Sequence, residues 1–225
     1  MPFKNSELLI FDLDGTLIDS KLDLVNAVNA TRGWMDLEPL PVPMVSNYVG
    51  DGAPKLIQRA LPGVDEQQLE KCLRYFLDYY RQHMLDETVL YPGVQEALDE
   101  LHAAPDLTMA VLTNKPVRFS RELIDKLNLS GHFVQIYGGN SFAEKKPDPV
   151  GIQALLAETG KPQDRTVMVG DSSTDIKTAR NAGVAACGVS WGFKPETFVE
   201  HPPDVVIDDL RELARMVLGK MGTDS

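Results

Sequence analysis

Cysteine is scarce in this chain: Cys72 and Cys187 are the only two, far apart and without the spacing of a redox or metal motif. That excludes a disulfide-stapled fold and leaves two ordinary buried thiols as the expectation. Histidine is sparse as well, and His83, His102, His132 and His201 lack the paired spacing of a zinc site. Basic residues are outnumbered, 22 against 33 acidic ones, for a net charge of −11. With no basic stripe to neutralise a phosphate backbone, a nucleic-acid partner is not expected. Long hydrophobic runs are missing too. Nothing approaches the roughly 18 consecutive apolar residues of a membrane span, so no membrane partner is expected. The opening stretch MPFKNSELLIFD is too short for a secretory hydrophobic region and has no small-residue cleavage site; the expected location is cytoplasmic.

What is present fits an ordinary globular protein. The 225 residues are 43% apolar and 24% charged, enough for a sizeable core under a charged surface. ELLIF is a short apolar run ending at Asp12-Leu13-Asp14-Gly15, which predicts a buried strand entering a turn. A mainly helical stretch follows from about Ser20 to Leu85, broken by Pro39, Pro41 and Pro43. In its last part Leu69, Cys72, Leu73, Phe76, Leu77 and Tyr80 recur at helical steps, a stripe expected to pack within this helical region. From Tyr91-Pro92-Gly93 onward the pattern alternates. Strands are expected at LTMAVLT, VQIYGG, TVMVG, AACGV and DVVID, with helices after Gly93, Pro116, Pro149, Ser173 and Asp208. Such alternation, with continuously apolar strands, predicts an α/β fold with a doubly wound parallel sheet covered by helices on both faces. The helical stretch is several times too long for a simple crossover. It is therefore expected to be an inserted helical cap domain, residues 19–87, on a Rossmann-like core formed by residues 1–18 and 88–225.

Four residue clusters fall at predicted strand ends, where folds of this kind place ligands. In Asp12-Leu13-Asp14-Gly15-Thr16 two carboxylates two positions apart project to one side. They repel unless a cation or proton is shared, and a hard divalent cation suits such oxygen ligands. Val111-Leu112-Thr113-Asn114-Lys115 ends a strand in a hydroxyl and an amide, both able to meet a phosphoryl oxygen near a helix start. Lys145-Lys146-Pro147-Asp148-Pro149 is a proline-stiffened loop around a cation. Gly170-Asp171-Ser172-Ser173-Thr174-Asp175 puts one aspartate at a strand end and another a helical turn later. Each cluster alone also reads as something plain: a turn, an N-cap, a solvated lysine pair or a helix cap. Their occurrence together, in order, at consecutive strand ends is what points to one active site.

In that order the residues resemble the haloacid dehalogenase-like hydrolase superfamily, from Ile10 to about Leu213. The resemblance implies a magnesium-dependent phosphatase acting on a small-molecule phosphate ester. It implies Asp12 as the nucleophile that becomes an aspartyl-phosphate, and Asp14 as the acid that protonates the leaving oxygen and then deprotonates water. Thr113 and Asn114 would meet the phosphoryl group, and Lys146, directly before proline, would neutralise Asp12 and the phosphate. Mg2+ would rest on Asp12, the backbone carbonyl of Asp14 and Asp171, with Asp175 assisting directly or through water. Asp14 itself favours phosphoryl chemistry over halide displacement, and Thr16 disfavours a phosphosugar mutase.

Within the superfamily, FDLDGTLIDS, YVGDGAPKLIQRAL, TNKP, FAEKKPDP, GDSSTDIKTARNAG and VSWGF are most similar to the bacterial phosphoglycolate phosphatase branch. This implies 2-phosphoglycolate as substrate, while pyrophosphate, nucleotides and sugar phosphates stay open. Gly50 and Gly52 would let backbone of the helical insert approach a small substrate. An acidic leaving group would also need a cation, for which Lys55 and Arg59 are the candidates. A phospho-receiver domain or an inactive binding relative is the non-enzyme alternative; the receiver would need neither Asp14 nor an inserted cap. A monomer and a homodimer are both compatible with the sequence.

Overall fold

The computed structural model describes residues 2–220. Strand β1 (Leu8–Phe11) is wholly apolar and wholly buried, because it is covered on both faces. It lies at the centre of a parallel six-stranded sheet with β4 (Thr108–Leu112), β5 (Gln135–Tyr137), β6 (Thr166–Gly170), β7 (Ala185–Val189) and β8 (Val205–Ile207), in the order β5-β4-β1-β6-β7-β8. Alternate residues of β1 serve the two sides of the sheet. Leu9 and Phe11 join a core with the buried faces of α5 (Val94–His102), α6 (Val117–Lys126) and α9 (Leu210–Leu218). Leu8 and Ile10 join a second core with α7 (Val150–Thr159) and α8 (Ser173–Ala182). The doubly wound α/β reading of the sequence is thus what the chain adopts.

From β1 the chain winds outward to β4 and β5, then returns to β6 on the other side of β1. The β1/β6 boundary is therefore the point where winding reverses, and the crevice beyond the strand ends there is where such sheets receive ligands. In register, Phe11 lies between Val111 of β4 and Val169 of β6. The residues that follow these strands, Asp12, Thr113 and Asp171, consequently emerge near one another.

The segment between β1 and β4 carries α1 (Lys21–Trp34), α2 (Val42–Tyr48), α3 (Ala53–Ala60) and α4 (Glu66–His83). At its base is a small antiparallel ladder, β2 (Ile18–Asp19) with β3 (Val89–Leu90), which the sequence pattern does not predict. Two-residue strands are too short to show a period. The lower end of the α4 stripe also departs from expectation. Phe76 and Tyr80 stack on each other at 5.9 Å, and Tyr80 meets Phe119 of α6 edge-on at 5.6 Å, so the stripe reaches the sheet side of the molecule. Trp34 stacks on Tyr75 at 5.1 Å and is half-exposed, whereas Trp191 donates to the Thr16 carbonyl at 3.2 Å. Cys72 and Cys187 are free and buried. Among the described residues no helix is long and apolar enough to cross a membrane.

Where the chain returns from α4, one buried carboxylate ties its two passages together. Asp23, in the first turn of α1, accepts from Thr88 N at 2.9 Å, Thr88 Oγ1 at 2.7 Å and Glu87 N at 3.1 Å. Asp23→Ala leaves those donors without a partner in a site that is 1% exposed. It is expected to cost about 2–3 kcal/mol of stability, read from urea unfolding. A loss below about 0.5 kcal/mol would show that water replaces the carboxylate freely.

Candidate active site

Asp12 follows β1 directly, and its N–H continues the sheet by donating to the Val169 carbonyl at 2.9 Å. Three residues on, Gly15 has φ +82°, and any side chain there would collide with the Asp171 carboxylate. The turn thus needs glycine for its conformation and for its close approach to β6. Asp12, Asp171 and Asp175 bring carboxylate oxygens within 4.8 Å of one another, and all three residues are largely or wholly buried.

Lys146 is the cation that meets this cluster. Its Nζ lies 2.9 Å from Asp12 Oδ1 and 2.6 Å from Asp175 Oδ1, with the lysine side chain 2% exposed. The neighbouring Lys145 remains half-buried, without that pairing. Burial opposes the Lys146 charge, but Asp12 and Asp175 outweigh it and hold the ammonium above its ordinary range. Asp175 is engaged at its other oxygen too, accepting from Ser172 N at 3.1 Å and Ser172 Oγ at 2.8 Å as part of the α8 capping box. The helix-cap reading of that sequence cluster and the site reading therefore both describe Asp175.

Asp171 accepts from Phe193 N at 2.6 Å. Burial, reinforced by the charges of Asp175 and Asp12, pushes its carboxyl well above the usual range. Burial likewise raises Asp12 to about 6, with Lys146 opposing the shift and Asp175 adding to it. Asp12 Oδ1, although close to Lys146, has no hydrogen bond of ordinary geometry. Three buried carboxylates facing one lysine are under-compensated, and an all-oxygen donor set with an unsatisfied atom suits a hard divalent cation. The residues present fit a metal.

Asp14, whose backbone carbonyl is the part expected at the metal, turns its carboxylate to other partners. Lys115 Nζ donates to both its oxygens, at 2.9 and 3.1 Å, and Ser20 Oγ donates to Oδ1 at 2.5 Å. Lys115 also donates to Tyr80 Oη of α4 at 2.7 Å. Burial pushes the Tyr80 phenol up to about 12, so it stays neutral beside the lysine. Sequence reasoning gave Lys115, Tyr80 and Ser20 no role. Lys115 stood inside the Thr-Asn-Lys-Pro cluster, but its partner Tyr80 lies 35 positions away and carried no motif.

Thr113 is buried and faces the same cavity as Asp12 and Asp14. Asn114 also borders it, yet its amide is committed. Nδ2 donates to the carbonyls of Gly50 at 2.9 Å and Lys146 at 3.1 Å, and Oδ1 accepts from Lys146 N at 3.1 Å. Rather than meeting a phosphate, this side chain fastens the lysine loop and the helical insert to the end of β4. Gly50 and Gly52 line the cavity as expected. Lys55 and Arg59 do not. They lie on the exposed side of α3, opposite the buried Ala53, Leu56, Ile57 and Ala60, and Arg59 pairs with Asp51 at 2.5 Å. The cations that do line the cavity are Lys115 and Lys194, the latter from the segment after β7.

A doubly wound α/β sheet with acidic groups and a lysine gathered at its reversal point has its site where such folds bind ligands. The family model of the haloacid dehalogenase-like hydrolases matches residues 9–189, and the chain belongs to that family. It is 40% identical to a phosphoglycolate phosphatase of Pseudomonas fluorescens (strain Pf0-1) over 94% of this chain and 80% of that protein. It is 39% identical to one of Agrobacterium fabrum (strain C58), over 96% of this chain and 94% of the relative. A crystal structure described as a predicted phosphoglycolate phosphatase from Haemophilus somnus 129PT superposes with a TM-score of 0.90 at 30% identity, covering 95% of this chain and 98% of that one.

The fit to a cation has a readout independent of turnover. A hard divalent cation at about 100 times its Kd should stabilise the fold by about 2.7 kcal/mol, or roughly 5–10 °C in thermal midpoint. Asp171→Asn, which removes one charge at nearly constant volume, should lose most of that response. A wild-type midpoint that saturating cation leaves unmoved would contradict the assignment.

Proposed function

We propose that the protein is a magnesium-dependent phosphatase that hydrolyses a small phosphate monoester, 2-phosphoglycolate, through a phosphorylated Asp12. The observation that carries this reading is the pairing of Asp12 with Lys146 at 2.9 Å in a cavity that Asp14 and Thr113 also face. Asp12 is the nucleophile: its carboxylate attacks phosphorus, which divides hydrolysis into two easier displacements. Lys146 offsets the charge gathered on Asp12 and the phosphoryl oxygens, and the Thr113 hydroxyl donates to one of those oxygens. Asp14, held by Lys115 and Ser20, gives a proton to the leaving oxygen and later takes one from the attacking water. Asn114 positions Lys146 through its backbone. Magnesium, when bound by Asp12, Asp171 and the Asp14 carbonyl with Asp175 behind, supplies further positive charge to the transferring group.

The insert of residues 19–87 acts as a cap on the core formed by residues 1–18 and 88–225. Its side-chain contribution to the cavity, including Leu24, Val49, Leu56 and Phe76, is mainly apolar, and the one hydroxyl it adds to the lining, that of Tyr80, is taken by Lys115. Such a wall offers few partners to the hydroxyls of a sugar, whose burial would then be costly, and so favours a small leaving group. The names and identities of the Pseudomonas and Agrobacterium relatives support 2-phosphoglycolate in particular.

The test is a panel of phosphate esters compared by kcat/KM with magnesium present, in which 2-phosphoglycolate should lead. A hexose phosphate at the head of the panel would contradict the substrate reading. Asp12→Asn should lower kcat by about four orders of magnitude or more without unfolding the protein. Asp14→Asn should slow poor leaving groups most and good ones, such as nitrophenol, least. Equal losses on both would remove Asp14 from the acid role.

A further inference from the structure

One cation in the cavity has no carboxylate to answer it. Of the two lysines lining the space, Lys115 is paired with Asp14. Lys194 makes no ion pair within 4.0 Å among the described residues, and the nearby Asp51 is taken by Arg59 at 2.5 Å. Burial depresses the Lys194 ammonium below its ordinary range, with Asp51 only partly offsetting the effect. A half-buried ammonium without a counter-ion is costly to maintain, and an anionic ligand would relieve it.

The position of this lysine is built rather than incidental. On one side Phe193 N is bonded to Asp171 at 2.6 Å, and Trp191 reaches the Thr16 carbonyl at 3.2 Å. On the other, the Lys194 carbonyl accepts from Thr197 N at 3.1 Å and Thr197 Oγ1 at 2.7 Å. The backbone is thus fixed on both sides, to the metal-facing carboxylate and to the turn that follows. Across the cavity, Gly50 has φ +119°, and a Cβ built there would stand 3.8 Å from Lys194 Nζ. Gly50 thus brings backbone of the insert close to the Lys194 ammonium, and a side chain longer than a methyl there would crowd it. Among the described residues lining the cavity, Lys194 is the cation left without an ion pair and so available to an anionic leaving group.

We propose that Lys194 is the specificity-determining residue of this site, its ammonium receiving the anionic end of the leaving group across from Gly50. On the phosphatase reading above, on which this rests, that end is the carboxylate of 2-phosphoglycolate. Lys194 touches the part of the substrate that does not react, so it acts on selection among phosphate esters. Charge-assisted contacts of this kind are the strong ones, and losing one changes affinity by about 30-fold or more.

The test measures kcat/KM for three substrates in the magnesium-loaded protein: 2-phosphoglycolate, pyrophosphate and 2-hydroxyethyl phosphate, whose leaving group is neutral. The readout is the ratio of each acidic substrate to the neutral one. Lys194→Met keeps the length and removes the charge; it should lower the ratio for 2-phosphoglycolate by about 30-fold, chiefly through KM, while Lys194→Arg retains most of it. Turnover of the neutral ester reports that each variant is folded. If the wild type prefers 2-phosphoglycolate and Lys194→Met keeps that preference, the lysine assignment is overturned and the substrate reading stands. If the wild type prefers pyrophosphate and Lys194→Met erases that preference, the substrate reading fails and the lysine assignment stands. A wild type with no preference for either acidic substrate overturns both.

Discussion

Three carboxylates are buried beyond the ends of two adjacent strands, and a single lysine meets two of them. Lys146 contacts Asp12 and Asp175, while Asp171 has, among the described residues, the Phe193 N–H alone. Burying charge is tolerable only when it is paired and hydrogen-bonded, so much of the surrounding structure can be read as support for this cluster. The β1/β6 register brings Asp12 and Asp171 side by side. Asn114 grips Lys146 at both its N–H and its carbonyl, which fixes where the ammonium can reach. Ser172 holds the second oxygen of Asp175. The residual negative charge is what makes the cluster suited to a metal and then to a phosphoryl group.

The same loop that closes β4 also joins the two parts of the molecule. Asn114 binds the Gly50 carbonyl of the insert, and Lys115 binds the Tyr80 hydroxyl of α4 while pairing with Asp14. Residues 113–115 thus present a hydroxyl to the cavity, fasten the lysine loop, and connect the second aspartate to a helix contributed by the insert. In the mechanism proposed above, the position of the acid–base group depends on the same contacts that hold the insert down over the sheet.

The sequence carried the core of this arrangement because its parts are local. Each strand end is marked by its own short motif, and an apolar run followed by Asp-x-Asp-Gly or Gly-Asp-Ser is readable wherever it occurs. Parallel strands buried on both faces leave continuous apolar runs, which is why a parallel sheet could be expected and then found, while the order of its strands comes from the fold. What was not legible is non-local. The β2–β3 ladder is too short to leave a pattern, and Asp23 meets Thr88 across 65 positions. Lys194 comes directly after the VSWGF stretch, which points to the family branch but gives the lysine no role. Lys55 and Arg59 were attractive because of charge and proximity in sequence, but helical phase turns both outward, and phase outranks proximity. Asn114 misled for a related reason: an amide at a strand end can serve a ligand or the backbone, and only the folded chain shows its partners.

The central claim is that the phosphoryl group passes through a carboxylate of the protein, and the stereochemical course at phosphorus decides it. A thiophosphate ester made chiral with oxygen isotopes, hydrolysed in water of a third isotope, reports the number of in-line displacements. Two successive displacements, one by Asp12 and one by water, give net retention of configuration, and that is the predicted result. Net inversion would mean that water attacks the substrate directly, and the assignment of Asp12 as nucleophile would be wrong.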